Sequence, residues 1–172
     1  NRSANLNNSN AQYYLGYLYY VGEYYPRDIN KAIHYLTLSA NQNDSDAQNL
    51  LGRIYFEKKK LGKAIHYFTL SADQNNYDSL YHLGVLYFLG NYIDIDLKKA
   101  ISYFKKSSNL NDPRAKNFLG IIYKNGNGVP KNISGAIEYL NEGVRIKSDS
   151  LSHYNLARIY YFGIDSTEIN VN

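Results

Sequence analysis

The sequence predicts an all-α protein, a right-handed superhelical α/α solenoid of helix pairs, and three observations predict it. A Leu-Gly or Leu-Ala signature returns at Leu15-Gly16, Leu51-Gly52, Leu83-Gly84, Leu119-Gly120 and Leu156-Ala157, at spacings of 36, 32, 36 and 37 residues. A tyrosine stands three positions after each small residue, at Tyr19, Tyr55, Tyr87, Tyr123 and Tyr160. Between the signatures lies a second block, Lys-Ala-Ile or Gly-Ala-Ile, at Ala32, Ala64, Ala100 and Ala136, followed by Tyr35, Tyr67, Tyr103 and Tyr139. Self-similarity at a period of about 20–50 residues marks a solenoid or array. The function of such an array is expected on a repeated surface rather than in a catalytic pocket.

Residues 1–172 read as one repeat domain, with units at about 10–44, 45–76, 77–112 and 113–149 and a partial fifth at 150–172. Each complete unit is expected to fold as two amphipathic helices. In the first helix of unit one Ala11, Leu15, Leu18 and Tyr19 fall at helical spacing, with Gly16 beside Leu15; the second helix repeats Ala32, Tyr35, Leu36 and Ala40. A glycine inside a helix costs about 1 kcal/mol against alanine, so its return at one register predicts close helix packing there. Asp28, Asp96 and Asn132 are expected N-caps of second helices. Asp112-Pro113 reads as a cap followed by proline at the first helical position. Gly22, Gly90, Gly126 and Gly163 are expected to end first helices in the left-handed conformation. No strand of alternating pattern survives this reading.

The glycine-to-alanine spacing inside a unit is 16 residues in units one, three and four, but 12 in unit two, from Gly52 to Ala64. Unit two has therefore lost four residues between its helices, and its helix-to-helix contacts are expected to be the same as in the others.

Composition narrows the function classes. There are no cysteines, hence no disulfides and no thiolate metal sites. No run of apolar residues is long enough for a membrane span. No basic segment leads into an apolar stretch at the N-terminus, and a cytoplasmic location is expected. The Asn-x-Ser sequons at Asn1, Asn7, Asn43 and Asn132 are weak evidence for secretion in so Asn- and Ser-rich a chain. The net charge of +4 is spread along the sequence, and the densest cluster, Lys58-Lys59-Lys60 with Lys63, reads as a solvated turn. No nucleic-acid partner is expected, because phosphate tracking takes many more basic groups on one face. The abundant Asn and the 20 Tyr read mainly as a coding bias at tolerant positions.

No catalytic constellation is present: there is no Gly-x-Ser-x-Gly elbow and no phosphate loop. Gly126-Asn127-Gly128 reads as a helix connection, and of Asp94 and Asp96 one is a cap. His34 and His66 are repeat copies a full unit apart, and His82 and His153 have no second ligand four residues on. No enzyme activity, no cofactor and no metal are expected, and a monomer is.

The motif Ala-x-x-x-Leu-Gly-x-x-Tyr, then Gly, then Asp-x-x-Lys-Ala-x-x-Tyr, nearly whole from Ala11 to Tyr35, resembles the Sel1-like repeat family, a relative of tetratricopeptide repeats. The loop Gly126 to Asn132 resembles the family's longer inter-helix loop, while unit two is closer to a tetratricopeptide unit. Asn-rich arrays of this look are similar to those attached to signalling proteins, protein kinases included, in some unicellular eukaryotes. The resemblance implies first helices stacked along a concave inner face that binds a peptide or partner protein. By register the groove residues are Tyr13, Tyr17 and Tyr20 in unit one; Asn49, Arg53 and Phe56 in unit two; Tyr81, Val85 and Phe88 in unit three; Asn117, Ile121 and Lys124 in unit four; and Tyr154, Arg158 and Tyr161 in unit five. Asn49 and Asn117 are expected to bond an extended peptide backbone, and Arg53 and Arg158 to favour an acidic segment. The alternative for Tyr13, Tyr81, Tyr154, Phe56, Phe88 and Tyr161 is packing between neighbouring helices.

The resulting expectation is a non-catalytic scaffold or adaptor. The alternatives are a regulatory or targeting region of a larger signalling protein such as a kinase, a secretory-pathway adaptor, and a passive spacer. Asn170-Val171-Asn172 resembles Asp28-Ile29-Asn30, just before Lys31-Ala32, so the natural chain is expected to continue into the second helix of unit five.

Overall fold

The structure, a computed structural model, describes residues 8–90, 93–146 and 150–162. Among these residues all regular structure is helical: α1 (Ser9–Val21), α2 (Ile29–Ala40), α3 (Ser45–Glu57), α4 (Leu61–Ala72), α5 (Tyr77–Leu89), α6 (Leu97–Asn109), α7 (Pro113–Asn125), α8 (Ile133–Ile146) and α9 (Ser150–Phe162). Four helix pairs are followed by a ninth helix of first-helix type, in the order the repeats predict. The chain divides into two compact units, Asn1–Leu83 and Gly84–Asn172.

The helices start and stop for local reasons. The Asp28 carboxylate accepts the N–H groups of Asn30 and Lys31 at 3.1 and 3.0 Å, and Asp96 accepts that of Lys99 at 2.9 Å. Asn132 accepts from Gly135 at 2.9 Å, and Asp112 from Arg114 at 3.0 Å with Pro113 in the first turn. Each satisfies backbone donors that a helix start leaves orphaned. Asp44 does the same for α3, an N-cap that the sequence reading missed. Gly22 and Gly126 close α1 and α7 at φ 80° and 76°. Gly163 and residues 170–172 lie outside the described residues.

In the first unit, a Cβ on Gly16 would stand 2.7 Å from Leu36, and one on Gly52 2.6 Å from the Phe68 ring. In the second, Gly84 meets Phe104 and Gly120 meets Leu140, each at 2.7 Å. These distances are shorter than van der Waals contact, so only glycine lets the second-helix side chain sit against the first-helix backbone. Those four side chains and the alanines Ala32, Ala64, Ala100 and Ala136 are buried and form the core.

Toward the loop end of each pair, two tyrosines stack: Tyr19–Tyr35 at 5.9 Å, Tyr55–Tyr67 at 5.6 Å, Tyr87–Tyr103 at 5.8 Å and Tyr123–Tyr139 at 5.5 Å between centroids. A lysine ammonium covers the first ring, from Lys31, Lys63 and Lys99 at 5.1–5.2 Å. In the last pair Gly135 stands at the lysine register, and Lys105 covers Tyr123 at 5.8 Å instead. Cation–π and offset ring contacts of this kind are worth about 0.5–1 kcal/mol each.

The far ends of the pairs are tied by polar bonds. The buried hydroxyls of Ser39 and Ser71 donate to the carbonyls of Ser9 and Ser45, both at 2.8 Å. Gln42 donates to Gln12 at 2.6 Å, and Gln74 to Gln48 at 2.8 Å. Between α2 and α3, α4 and α5, and α6 and α7, Asn43, Asn75 and Asn111 hold φ of 66°, 61° and 64°. Asparagine tolerates the left-handed region better than other residues with a side chain. At these three positions asparagine is selected by backbone geometry, not merely tolerated, which corrects the coding-bias reading there.

Candidate partner-binding site

The fifteen predicted groove positions form three rows on the first helices, four and then three residues apart along each helix, and so share one face of each. Their surroundings differ between the two units.

In the first unit Asn49 is only 7% exposed, and its Nδ2 donates to the Ser79 hydroxyl at 2.7 Å. Buried in that bond between helices, it is a tie to α5, which corrects the expectation that it reaches a peptide. Tyr13 is half-buried against Tyr14 and Tyr17, with ring centroids 5.3 and 6.3 Å away. Burial, and then the Asp46 and Asp44 charges, push its hydroxyl above the usual tyrosine value. Tyr17, Arg53 and Phe56 are exposed. The Tyr20 hydroxyl donates to Glu57 Oε1 at 2.6 Å; burial first, and this bond second, raise its pKa. Arg27 lies 5.7 Å from the Tyr20 ring centroid and 3.9 Å from the Glu57 carboxylate. Tyr81 packs edge-on to His82 at 5.5 Å, and His82 stacks on the buried Phe68 at 4.9 Å. Tyr81 is half-buried, and it is its neighbour His82 that makes the contact to the preceding repeat.

In the second unit Val85 is half-buried, and Phe88 is too, with its ring edge-on to Phe118 at 5.9 Å and Phe104 at 6.4 Å. Phe88 is a core wall. Asn117 is 1% exposed; its Oδ1 accepts from Asn155 Nδ2 at 2.8 Å, and its own Nδ2 is buried without a hydrogen-bond partner among the described residues. It too is corrected from groove donor to inter-helix tie. Ile121 and Lys124 are half-buried and Arg158 is exposed. Tyr154 and Tyr161 are 57% and 84% exposed, which sets them apart from the packing reading. The Arg158 guanidinium sits 5.6 Å from the Tyr154 ring centroid. Burial, and then the charges of Arg158 and Lys131, hold the Lys124 ammonium below the usual lysine value.

Outside these rows, the exposed His34 and His66 stand edge-on to Tyr35 and Tyr67 at 5.1 and 5.2 Å. Among the described residues no group of His, Cys, Asp and Glu could hold a metal ion, and no helix is long and apolar enough to cross a membrane. Each unit carries its own exposed aromatic and guanidinium groups on first helices, Tyr17, Arg53 and Phe56 in the first and Tyr154, Arg158 and Tyr161 in the second. Such groups combine large contact area with a polar handle.

The Sel1 repeat family model matches the chain at residues 9–44, 45–76, 78–112, 113–144 and 150–171. Among solved structures, a protective antigen of uropathogenic Escherichia coli strains displaying an SLR fold superposes with a TM-score of 0.87 at 28% identity, over 94% of this chain and 35% of the antigen. A Sel1 repeat protein from Oxalobacter formigenes superposes with a TM-score of 0.85 at 27% identity, over 90% of this chain and 64% of that one. The Helicobacter pylori cysteine rich protein B gives a TM-score of 0.58 at 25% identity, over 74% of this chain and 95% of its own. The chain thus spans about a third of the antigen's length and under two thirds of the Oxalobacter protein's. No curated protein sequence matches it at a significant level.

Proposed function

This chain belongs to the Sel1 repeat family, and from that premise we propose that it holds a peptide or partner protein against the outward rows of its first helices. Sel1 repeat proteins are generally protein-interaction scaffolds, and the fold is typically non-catalytic. The observation that carries the finer reading is the exposure of Tyr17, Arg53, Tyr154 and Arg158 on those rows. The core is complete without them: Leu, Phe, Ala and the stacked tyrosines fill it from the other faces. Tyrosine and arginine are the side chains that most often anchor interfaces, and a helical groove captures a segment by such anchors at one-turn spacing.

The test compares pull-downs with the natural chain and with a variant carrying Tyr17→Ala, Arg53→Glu, Tyr154→Ala and Arg158→Glu, with mass spectrometry of what is retained. Phe88 stays intact because its ring packs in the core. Circular dichroism establishes that both baits are equally helical. Partners lost by the variant support the reading. Specific partners retained in full by the variant refute it and move binding to the opposite face or the loops.

A further inference from the structure

The hydrogen bond from Asn155 to Asn117, 2.8 Å long and buried, ties α9 to α7 at one level. Ile121 lies four residues beyond that tie on α7 and Arg158 three beyond it on α9; Lys124 lies seven beyond on α7. At about 1.5 Å rise per residue, Arg158 and Ile121 stand level with each other and Lys124 about one turn further. Two cations therefore flank an apolar side chain, with the exposed Tyr154 ring beneath Arg158.

These cations lack carboxylate partners among the described residues. Asp96 caps α6, Asp112 holds Arg114 at 2.8 Å and Glu142 holds Lys116. The charges that act on Lys124 are those of Arg158 and Lys131, both of its own sign, and they and burial move its pKa the same way. The corresponding face of the first unit is different. There Glu57 faces Arg27 and Tyr20, and Asp44 and Asp46 act on Tyr13. Among the described residues, Arg53 thus shares its face with carboxylates, and Arg158 does not.

We propose that the α7–α9 face of the second unit seats a short acidic segment of a partner protein, with Lys124 and Arg158 taking its carboxylates and Tyr154 and Ile121 its neighbouring apolar groups. This rests on the first-helix reading above and adds the partner's chemistry and the unit that receives it. Like charges held together without a counter-charge are destabilising until an anion arrives, and complementary charge sets both rate and choice of partner. Two cations match one or two carboxylates. A nucleic-acid strand is the poorer fit, because its affinity comes from about 6–10 phosphate contacts.

The test is a fluorescence anisotropy titration of the 172-residue chain with a short labelled peptide of Glu, Gly and one Phe, against the same peptide with Gln for Glu. The acidic peptide should bind more tightly, and less so as salt is raised. Lys124→Gln and Arg158→Gln should each weaken it about tenfold, the loss of one charge-assisted hydrogen bond, while Arg53→Gln changes it less than twofold. Circular dichroism of each variant should match the natural chain. Equal affinity for the two peptides overturns the proposal. So does an Arg53→Gln loss as large as that of Arg158→Gln, or a single-stranded oligonucleotide that displaces the peptide at a lower concentration. If the acidic peptide fails while the pull-down variant still loses its partners, the face binds but not through acids. If the peptide binds through Lys124 and Arg158 while every pull-down partner persists, the acidic seat stands and the general reading falls.

Discussion

The α1–α2 pair and the α3–α4 pair lie in the same unit and are joined by loops of very different length, residues 22–28 against 58–60. The long loop has a left-handed glycine at its start and an aspartate cap at its end. The short one forces Lys59 to φ 56° and starts α4 on Lys60, whose side chain makes no capping bond. Yet the pairs are alike where they touch. The stacked tyrosines are parallel to within 6° in both, and the glycine contact is 2.7 Å in one and 2.6 Å in the other. Helix pairing is set by the glycine, the large side chain it admits and the tyrosine stack, and the loop only has to reach.

That conclusion can be broken at the contact itself. Phe68→Ala should lose about 3–5 kcal/mol in chemical denaturation, as for other buried aromatic truncations, although the loop is untouched. Gly52→Ala should lose about 1–3 kcal/mol, because its methyl would stand 2.6 Å from a buried ring and something must shift. A Gly52→Ala protein as stable as the natural one would mean that the ring moves and that the loop holds the pair.

The comparison can be sharpened at the short loop. Lys60→Asp supplies the missing cap and should gain about 1 kcal/mol. Lys59→Gly relieves the left-handed backbone and should gain about 1 kcal/mol. Gly62→Ala, where a methyl meets nothing within 4 Å, should gain up to about 1 kcal/mol. Melting curves rank the three, and no gain from either lysine change would mean that the short loop is not the weaker one.

The smallest effect is acid sensitivity. The Asp28 and Asp96 carboxyls lie below the ordinary carboxylate value, chiefly because they accept the backbone N–H groups of Lys31 and Lys99. A depressed folded pKa contributes stability above the unfolded value of about 3.9 and loses it as pH falls toward the folded value. Hydrogen-exchange protection, taken relative to the unstructured rate at each pH, should therefore fall at the starts of α2 and α6 on acidification through that window, and should hold at the start of α4, which has no side-chain cap.

The repeat made the fold legible. Leu-Gly and Ala-Ile at one register announced a small residue against a large one, and Gly52 against Phe68 is that contact. The N-caps Asp28, Asp96, Asn132 and Asp112 were legible because capping is a local event. The left-handed Asn43, Asn75 and Asn111 carried a signal too, their recurrence two residues before α3, α5 and α7, but it was hidden by the abundance of Asn. The candidate site was legible only as a face. Register placed Tyr17, Arg53 and Arg158 outward, but it placed Asn49 and Asn117 beside them, and both are buried ties to the next helix.

The sequence by itself determined the helices, their pairing and the repeat order, because periodicity, caps and small–large matches act within one or two turns or between adjacent helices. Tertiary structure alone decided which outward positions face solvent and which charges are neutralised. Those depend on side chains about thirty residues away, as Asn49 depends on Ser79 and Tyr20 on Glu57. Among the described residues, the same register thus yields a carboxylate-lined face in one unit and a cationic face without carboxylate partners in the other.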